Sequence, residues 1–474
     1  MTSEHIELSR TLARDASDFI RHQATRNSRG LIASRFFWSR QEKWSPVIAD
    51  FDDIGDHLLF VAWFGTEFGD DESLAFVKNQ MELWVRDFRL PCGLYVSTCD
   101  LEKQARISRT NWQVVSLYDH HDALLGMVSL YRLTHDEFYL NLAVEVADAL
   151  LVYIGKFNGL VPNRVIPALR LAVIKTSSFS TVCGLLAEEL VELYTITGKH
   201  QYLGAAERII NSWVKTPLFR QAGLFAAGYH PYWRTFCPYP YTELMKSNTN
   251  MAYAMLYLYG ISPDAALRES IDRWFRSLSA FKSEDGGYYG VWDNRKNSIG
   301  TPVIDKTQNF AVIDAFLEAY RVFGEPEFLE EAEACARFWL EKRHHTTKLI
   351  PEQFIDGKPV HFGSKIDQNA DLYTMFLKLH ELTGKELYLD SAKEALDLFA
   401  WYYHTASNWW HRLIDCRSGQ LVADEDLPQG ENPAEMNVTK YVGGALRFFI
   451  MANKVLRGDS IYADETMRHL VRDR

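Results

Sequence analysis

"LTGKELYLDSAKEALDLFAWY", residues 382–402, reads as a turn, a short polar stretch, a Tyr-Leu pair and then apolar residues at helical spacing. The pattern returns as "ITGKHQYLGAAERIINSWV" from Ile196, "VFGEPEFLEEAEACARFWLEK" from Val322, "LTHDEFYLNLAVEVADALLVY" from Leu133 and "EFGDDESLAFVKNQMELWV" from Glu67. Weaker copies start at Gly260 ("GISPDAALRESIDRWFRSL") and Arg457 ("RGDSIYADETMRHLVRD"). Anchored on Gly69, His135, Gly198, Ser262, Gly324, Gly384 and Gly458, the steps are 66, 63, 64, 62, 60 and 74 residues. A period near 60 exceeds that of the common helical solenoids.

Each turn joins two unlike helices. The segment before it is strongly apolar, as in "NMAYAMLYLYG" or "NFAVIDAFLEAYRV"; the segment after it is amphipathic and charged on one face. Helices that are apolar all round are buried, and amphipathic ones lie at the surface. A glycine before a polar link suits a left-handed helix C-cap. The unit is therefore an inner helix, a tight turn and an outer helix. Inner helices are expected near 51–65, 117–133, 178–196, 247–260, 308–323, 367–383 and 437–453. The long links share a glycine-aromatic or glycine-aliphatic signal ("CGLYVSTCD", "NGLVPNRV", "AGLFAAGYHPYW", "GGYYGVWDN") that suits short β-hairpins. The fold expected is all-α: an α/α toroid (barrel) of six or seven helical hairpins with short β-hairpins in the connecting loops. No repeat has the polar face of a solenoid cap, which favours a closed ring. The toroid is expected to span residues 1–474, with 1–50 an N-terminal helix and lead-in segment packing on the ring.

Three inner helices begin with polar clusters: "MKSNTNMAY" from Met245, "IDKTQNFAV" from Ile304 and "SKIDQNADLY" from Ser364. In a toroid these ends converge on one mouth, so their side chains are expected to line a pocket above an apolar core. Helix N-termini there also favour anionic groups.

The totals narrow the function. The chain has 474 residues, 47% hydrophobic and 24% charged, with a net charge of −11 and no long basic run. Nucleic acid is thereby disfavoured as a partner. No apolar run is read as long enough to span a membrane. The six cysteines (Cys92, Cys99, Cys183, Cys237, Cys335, Cys416) form no CxxC pair, and the N-terminus lacks a signal-like apolar region. A cytoplasmic protein with reduced thiols is expected. Aromatics make up 14% of the chain, and packing explains most of them. No GxGxxG, GxxxxGK[ST] or GxSxG motif occurs, which gives nucleotide cofactors and serine hydrolysis little weight. No cofactor is expected. Adjacent His120 and His121 lack HxxxH or HxxE spacing, so no metal site is read.

On the "TGKELYLDSAKEALDLF" unit and on "GGYYGVWDN", the chain resembles the six-hairpin glycosidase-like superfamily of α/α toroids, over roughly residues 50–455. That group includes unsaturated glucuronyl hydrolases, other glycosidases and N-acylglucosamine 2-epimerases. The resemblance implies a saccharide or oligosaccharide substrate and, for a hydrolase, a pair of acids at the cavity mouth. It carries that role to Asp119 and Asp293, with Asp367 a third candidate. Burial raises the pKa of such an acid towards that of a proton donor. Trp292 beside Asp293 is a sugar-stacking arrangement. Lys246, Lys306 and Lys365, with Arg40, Arg106, Arg109, Arg164 and Arg295, suggest a basic mouth suited to an acidic, uronic-acid-type sugar. Trp112, His120, His230, Trp233, Asn250, Gln368, Trp409 and His411 complete the expected substrate-binding set. Two alternatives stay open: an epimerase or lyase using His or Tyr (His120, His230, His361 and His411 lie in suitable links), and a non-catalytic toroid that binds saccharide or protein.

Overall fold

The computed structural model describes residues 2–24, 26, 30–37, 48–96, 98–100, 111–173, 176–230, 235–236, 241–423, 427 and 436–462. In chain order its helices are α1 (Thr2–Asp18), α2 (His57–Phe68), α3 (Asp71–Phe88), α4 (His120–Thr134), α5 (Glu137–Ile154), α6 (Ser180–Thr197), α7 (His200–Val214), α8 (Pro217–Ala222), α9 (Asn250–Ile261), α10 (Ala265–Ser277), α11 (Lys306–Phe323), α12 (Pro326–Glu341), α13 (Ile366–Thr383), α14 (Glu386–Leu398) and α15 (Thr439–Leu456). The inner helices form a closed ring: α2 packs on α4, then α6, α9, α11, α13 and α15 follow, and α15 packs back on α2. This is the α/α toroid expected, with seven inner helices among the described residues. Their positions match the sequence reading closely. The largest displacement is at α2, because Phe51–Ile54 form a separate 3-10 turn in which Asp53 Oδ2 accepts the Asp50 N–H at 3.2 Å.

The turns are built as the glycines imply. Gly69, Gly198, Gly324 and Gly384 have φ of 69°, 70°, 70° and 68°, and each donates its N–H to the carbonyl four residues back. His135 takes the same conformation at φ 54° without the help of glycine. Outer helices follow at once and bury one stripe; in α10 that stripe is Leu267, Ile271, Trp274 and Phe275.

The seventh outer helix comes from an unexpected place. α1 packs on α15, where Asn453 Nδ2 donates to Ile6 O at 2.9 Å and to Ser9 Oγ at 3.0 Å. The N-terminal helix thus completes the last pair. The copy that starts at Arg457 runs mostly through 463–474, outside the described residues. Its described start is non-helical and sits on Glu381, which accepts the Ile461 N–H at 2.9 Å. A further correction concerns Glu137–Phe157, which is long and apolar enough by length and composition to cross a membrane. In the fold it begins as α5, packed on α4 and α7.

Where the inner helices start, seven small sheets among the described residues surround the mouth. A strand entering an inner helix pairs with the link after the next outer helix. Tyr241–Glu243, for instance, pairs with Val291–Asp293, which forms a hairpin with Ser298–Ile299. Arg35–Phe37 pairs with Met436–Val438 and so joins the two ends of the chain.

The polar helix starts have a structural use first. Asn309 Oδ1 accepts the Tyr288 N–H and its Nδ2 donates to Tyr288 O, both at 2.8 Å. Asn248 holds Phe225 in the same way, accepting its N–H at 2.9 Å and donating to its O at 3.3 Å. His120 replaces the amide two repeats before Asn248: its Nε2 accepts the Tyr95 N–H at 3.1 Å. These side chains clasp the glycine-aromatic link to the next inner helix, satisfying buried backbone that would otherwise be costly.

Beneath the mouth the axis is not the apolar core expected. Asp314 (α11) and Lys378 (α13) form a fully buried ion pair, and Arg447 Nη2 (α15) lies 2.5 Å from Asp371 Oδ1 (α13). Glu192 (α6) receives Arg132 Nε at 2.6 Å and the Tyr257 hydroxyl. These inner helices give apolar sides to their neighbours and keep a polar position for one another: a charge on α4, α6, α11, α13 and α15, and the Tyr257 hydroxyl on α9.

Glycines set how closely the ring packs. A Cβ on Gly184 (α6) would lie 2.5 Å from the Asn250 carbonyl carbon of α9. Gly184→Ala is expected to force the helices apart at a cost of about 1–3 kcal/mol. A urea midpoint equal to that of the wild type would show the crossing to be looser than this.

Candidate active site

The acids at the mouth arise from successive inner-helix starts. Before α2 the run Asp50-Phe51-Asp52-Asp53-Ile54-Gly55-Asp56 places four carboxylates within seven residues. Asp53 is buried, takes a hydrogen bond from Ser34 Oγ at 2.7 Å, and is pushed up to about 8, mainly by burial and then by Asp50. Asp52 is raised well above the carboxylate range by burial and by Asp53, Asp56 and Asp122; Lys440 at the start of α15 opposes this. Lys440 Nζ lies 3.9 Å from Asp56, whose charge holds its ammonium pKa up. The neighbouring His57 is pushed down to about 3 by burial and Lys440.

The cluster continues in two directions. Towards α4, Tyr118 is pushed up to about 12 by burial, then by Asp122 and Asp119. Towards α13, Tyr441 feels Asp367, Lys365, Lys440 and Arg412. Asp367 sits in the first turn of α13 beside Gly444, whose missing side chain leaves the space in front of it. Burial raises its pKa against the opposing Lys365 and Arg412 charges, and its Oδ1 has no hydrogen-bond partner. A raised carboxyl with an unused oxygen is suited to donating a proton to a ligand.

A cavity of about 380 Å³ opens beside Tyr118, lined also by Phe179, Thr181, Tyr241, Glu243 and Lys246 from the starts of α6 and α9. The Glu243 side chain makes no hydrogen bond or ion pair among the described residues. Two tyrosines, a phenylalanine and a free carboxylate give this pocket the mixture of apolar faces and directed polar groups that binds sugar rings. Among the described residues no group of three or more His, Cys, Asp or Glu is arranged to hold a metal ion.

The structure separates the expected site residues. Asp119, Lys365, Asp367 and Gln368 stand at the mouth, and Lys246 is on the cavity rim. Asp293 is a turn residue: its Oδ1 accepts the Arg295 and Lys296 N–H groups at 2.9 and 3.0 Å, which with the Lys296 charge hold its pKa down. Trp292 is buried against Phe281 at 5.4 Å and offers no face to a sugar. Lys306 is fully buried, bonded to Ile350 O, Glu352 and Asn369. His120 is the clasp described above, and burial pushes it down to about 3. His230 is buried edge-on to Phe157, and Trp409 is buried edge-on to Phe19. Asn250 is buried where α9 crosses α6. His361 accepts the Gly363 N–H, and His411 is half-buried with its pKa lowered by burial. Trp112 is 70% exposed. Trp233, Arg40, Arg106 and Arg109 lie outside the described residues. The basic mouth expected from the lysines is instead mixed among the described residues: Asp52, Asp56, Asp119, Asp122, Glu243 and Asp367 face Lys246, Lys365, Arg412 and Lys440, with Asp52 and Asp367 raised by burial. Cys92, Cys183, Cys335 and Cys416 are free thiols.

Sequence reading missed Glu243, Asp122 and the Asp52–Asp56 group as mouth acids. The density of carboxylates before α2 was a usable signal. For Glu243 there was none, because a single acid in a strand is ordinary.

Comparison with known proteins gives the same frame. The family model described as Glycosyl hydrolase family 47 matches residues 98–355, more than half of the chain. Among curated proteins, none matches the sequence. The α-1,2-mannosidase from Trichoderma reesei superposes with a TM-score of 0.64 at 13% identity, over 94% of this chain and 93% of that one. A sugar epimerase from a ruminal bacterium gives 0.56 at 12% identity, over 96% and 100%. The unsaturated glucuronyl hydrolase from Bacillus sp. GL1 gives 0.52 at 13% identity, over 86% and 97%. These likenesses show the shared toroid.

Proposed function

The chain belongs to glycosyl hydrolase family 47, and from that premise we propose that it hydrolyses a neutral, mannoside-type oligosaccharide at the mouth of the toroid. Asp367 is the proton donor, and Glu243 is the carboxylate that activates water. The observation that carries the reading is Asp367 itself, a carboxyl raised by burial whose Oδ1 is unused by the protein. As the bond from the anomeric carbon to the leaving oxygen breaks, Asp367 gives that oxygen its proton. Glu243 takes a proton from the water that bonds to the anomeric carbon. Such chemistry needs two carboxyl groups in unlike environments, one buried beside cations and one free in an open pocket. Asp119 and Asp122 are left to hold hydroxyls beside Tyr118.

The sugar class follows from charge. With Asp52 and Asp367 raised by burial, Asp56, Asp119, Asp122 and Glu243 offset Lys246, Lys365, Arg412 and Lys440, so the mouth has no surplus of cations to draw a uronate, whereas a neutral ring offers the carboxylates hydroxyl donors. The Trichoderma enzyme, described as an α-1,2-mannosidase, supports the mannoside. A uronic-acid sugar is the alternative within the same reaction. Epimerisation is a second reading, favoured by His121, which is buried with Nδ1 3.0 Å from Asp122 and Nε2 without a hydrogen-bond partner.

The test is a panel of mannosides, glucuronides and free sugars, assayed with Glu243→Gln and His121→Gln. Release of mannose is expected, lowered about 10²- to 10⁴-fold in Glu243→Gln and little changed in His121→Gln. Turnover of glucuronides alone would overturn the neutral-sugar assignment. Epimer formation without hydrolysis, lost in His121→Gln, would establish the second reading instead.

A further inference from the structure

Glu352 stands between an outer helix and the strand that begins at Gln353, 3% exposed and directly beneath the start of α13. Its Oε1 accepts Lys306 Nζ at 3.0 Å and the Lys365 N–H at 2.6 Å. Its backbone carbonyl accepts the Lys306 N–H at 2.9 Å. Lys306 Nζ also reaches Asn369 Oδ1 at 3.1 Å, and Asn369 Nδ2 donates to Ser364 Oγ, Lys365 O and the Tyr403 hydroxyl. Apart from the two bonds that tie Lys306 to Glu352, these bonds end on Ser364, Lys365 or Asn369, the residues that flank Asp367. The second oxygen of Glu352, Oε2, is buried and has no hydrogen-bond partner.

A buried carboxylate with one oxygen unused is expensive, and a Lys-Glu pair at this depth adds little net stability over apolar residues of the same size. Stability is therefore a poor reason for the arrangement. Its placement supplies a better one. We propose that Glu352 is a positioning residue for the proton donor: with Lys306 it anchors the first turn of α13 and supplies the negative charge against which Asp367 keeps its proton. The proposal rests on the reading of Asp367 as donor.

The charges around the pair come from every element packed on it. Lys306 projects from α11, Lys365 ends the strand Gly363–Lys365 that leads into α13, Asp367 belongs to α13, Arg412 precedes the strand Leu413–Asp415, and Tyr441 comes from α15. Tyr403 and Cys416 feel Glu352 from the far side, and both are held protonated by burial. The cations near Asp367 all favour losing its proton. The Glu352 carboxyl is raised chiefly by burial, and the Asp367 charge is among the influences that raise it, so the two carboxyls are coupled and an anionic Glu352 would oppose those cations.

Two variants separate anchoring from charge. Glu352→Gln keeps an oxygen for Lys306 and the Lys365 N–H but removes the charge. Asp367 then gives up its proton at lower pH, so the alkaline limb of kcat moves to lower pH. A displacement of one pH unit gives about tenfold less turnover on that limb, with KM unchanged. Glu352→Asp keeps the charge and withdraws its reach to the Lys365 N–H, so kcat falls while the limb stays in place. Ser364→Ala is the control, altering the network without altering charge, and its limb should not move. A wild-type limb in Glu352→Gln, or an equal movement in Ser364→Ala, overturns the proposal. If Glu352→Gln melts below the assay temperature, Glu352→Asp decides alone, and wild-type kcat in it overturns the proposal. Full turnover in Asp367→Asn would remove the donor assignment itself. A silent Asp367→Asn beside an unaltered Glu352→Gln would remove only the role given to Glu352.

Discussion

Asp367→Asn lowers turnover about 10²- to 10⁴-fold, the usual worth of a general acid, and leaves the protein at least as stable as the wild type. The amide keeps the shape of the carboxyl and its place beside Gly444 but has no proton to give. The stability clause follows from the direction of the pKa shift. Burial raises the carboxyl above its unfolded value against Lys365 and Arg412. A raised acid favours the folded state while it is protonated, and that contribution fades as the pH rises through the folded pKa. Asparagine does not titrate, so the variant escapes this loss. Melting curves from pH 4 to 8 alongside kcat check both halves, with Asp293→Asn as the comparison. Asp293 spends its Oδ1 on the Arg295 and Lys296 N–H groups of its own turn, so Asp293→Asn should retain turnover. Activity that vanished in Asp293→Asn and survived in Asp367→Asn would move the donor to the hairpin.

What could be read from the sequence was whatever physics makes local. A left-handed helix end nearly demands glycine, so Gly69, Gly198, Gly324 and Gly384 announced their turns and set the period. The apolar inner and amphipathic outer helices followed from the spacing of their side chains. The polar helix starts were seen but misassigned. Asn248 and Asn309 look like pocket residues in the sequence, yet each spends its amide on the backbone of the preceding link. Recurrence at one offset in several repeats is better evidence of a shared structural bond than of a shared ligand, because a single substrate does not meet all sides of a ring equally. Contacts between distant parts of the chain stayed hidden. Nothing local shows that α1 closes the ring on α15, 447 residues away at Ile6 and Asn453. The axial charges were readable in principle, for Asp314 and Lys378 are 64 residues apart, Glu192 and Tyr257 are 65 apart, and Arg132 and Glu192 are 60 apart. Each interval is about one repeat, so the partners occupy equivalent levels of neighbouring inner helices. Treating inner helices as uniformly apolar concealed this.

Those axial pairs carry the largest stability effect expected in the molecule. Asp314 and Lys378 are both 0% exposed, on adjacent inner helices α11 and α13. Lys378→Met preserves most of the side-chain volume and removes the ammonium, so the Asp314 carboxylate loses its buried countercharge. Breaking a buried pair in this way costs about 3–5 kcal/mol, several times the effect of an exposed ion pair. Adding Asp314→Leu to Lys378→Met removes the stranded charge as well, and most of the loss should be recovered, because neither residue then bears a desolvation penalty. The two variants are read together as urea midpoints at constant slope. A recovery in the double variant means that the pair is tolerated in a dry axis, where its contribution is to the register between α11 and α13. If Lys378→Met alone is nearly neutral, water reaches Asp314, and the axis below the mouth is a hydrated channel. That result would also weaken the case for Asp367, since the same water would lower the burial that keeps its proton in place.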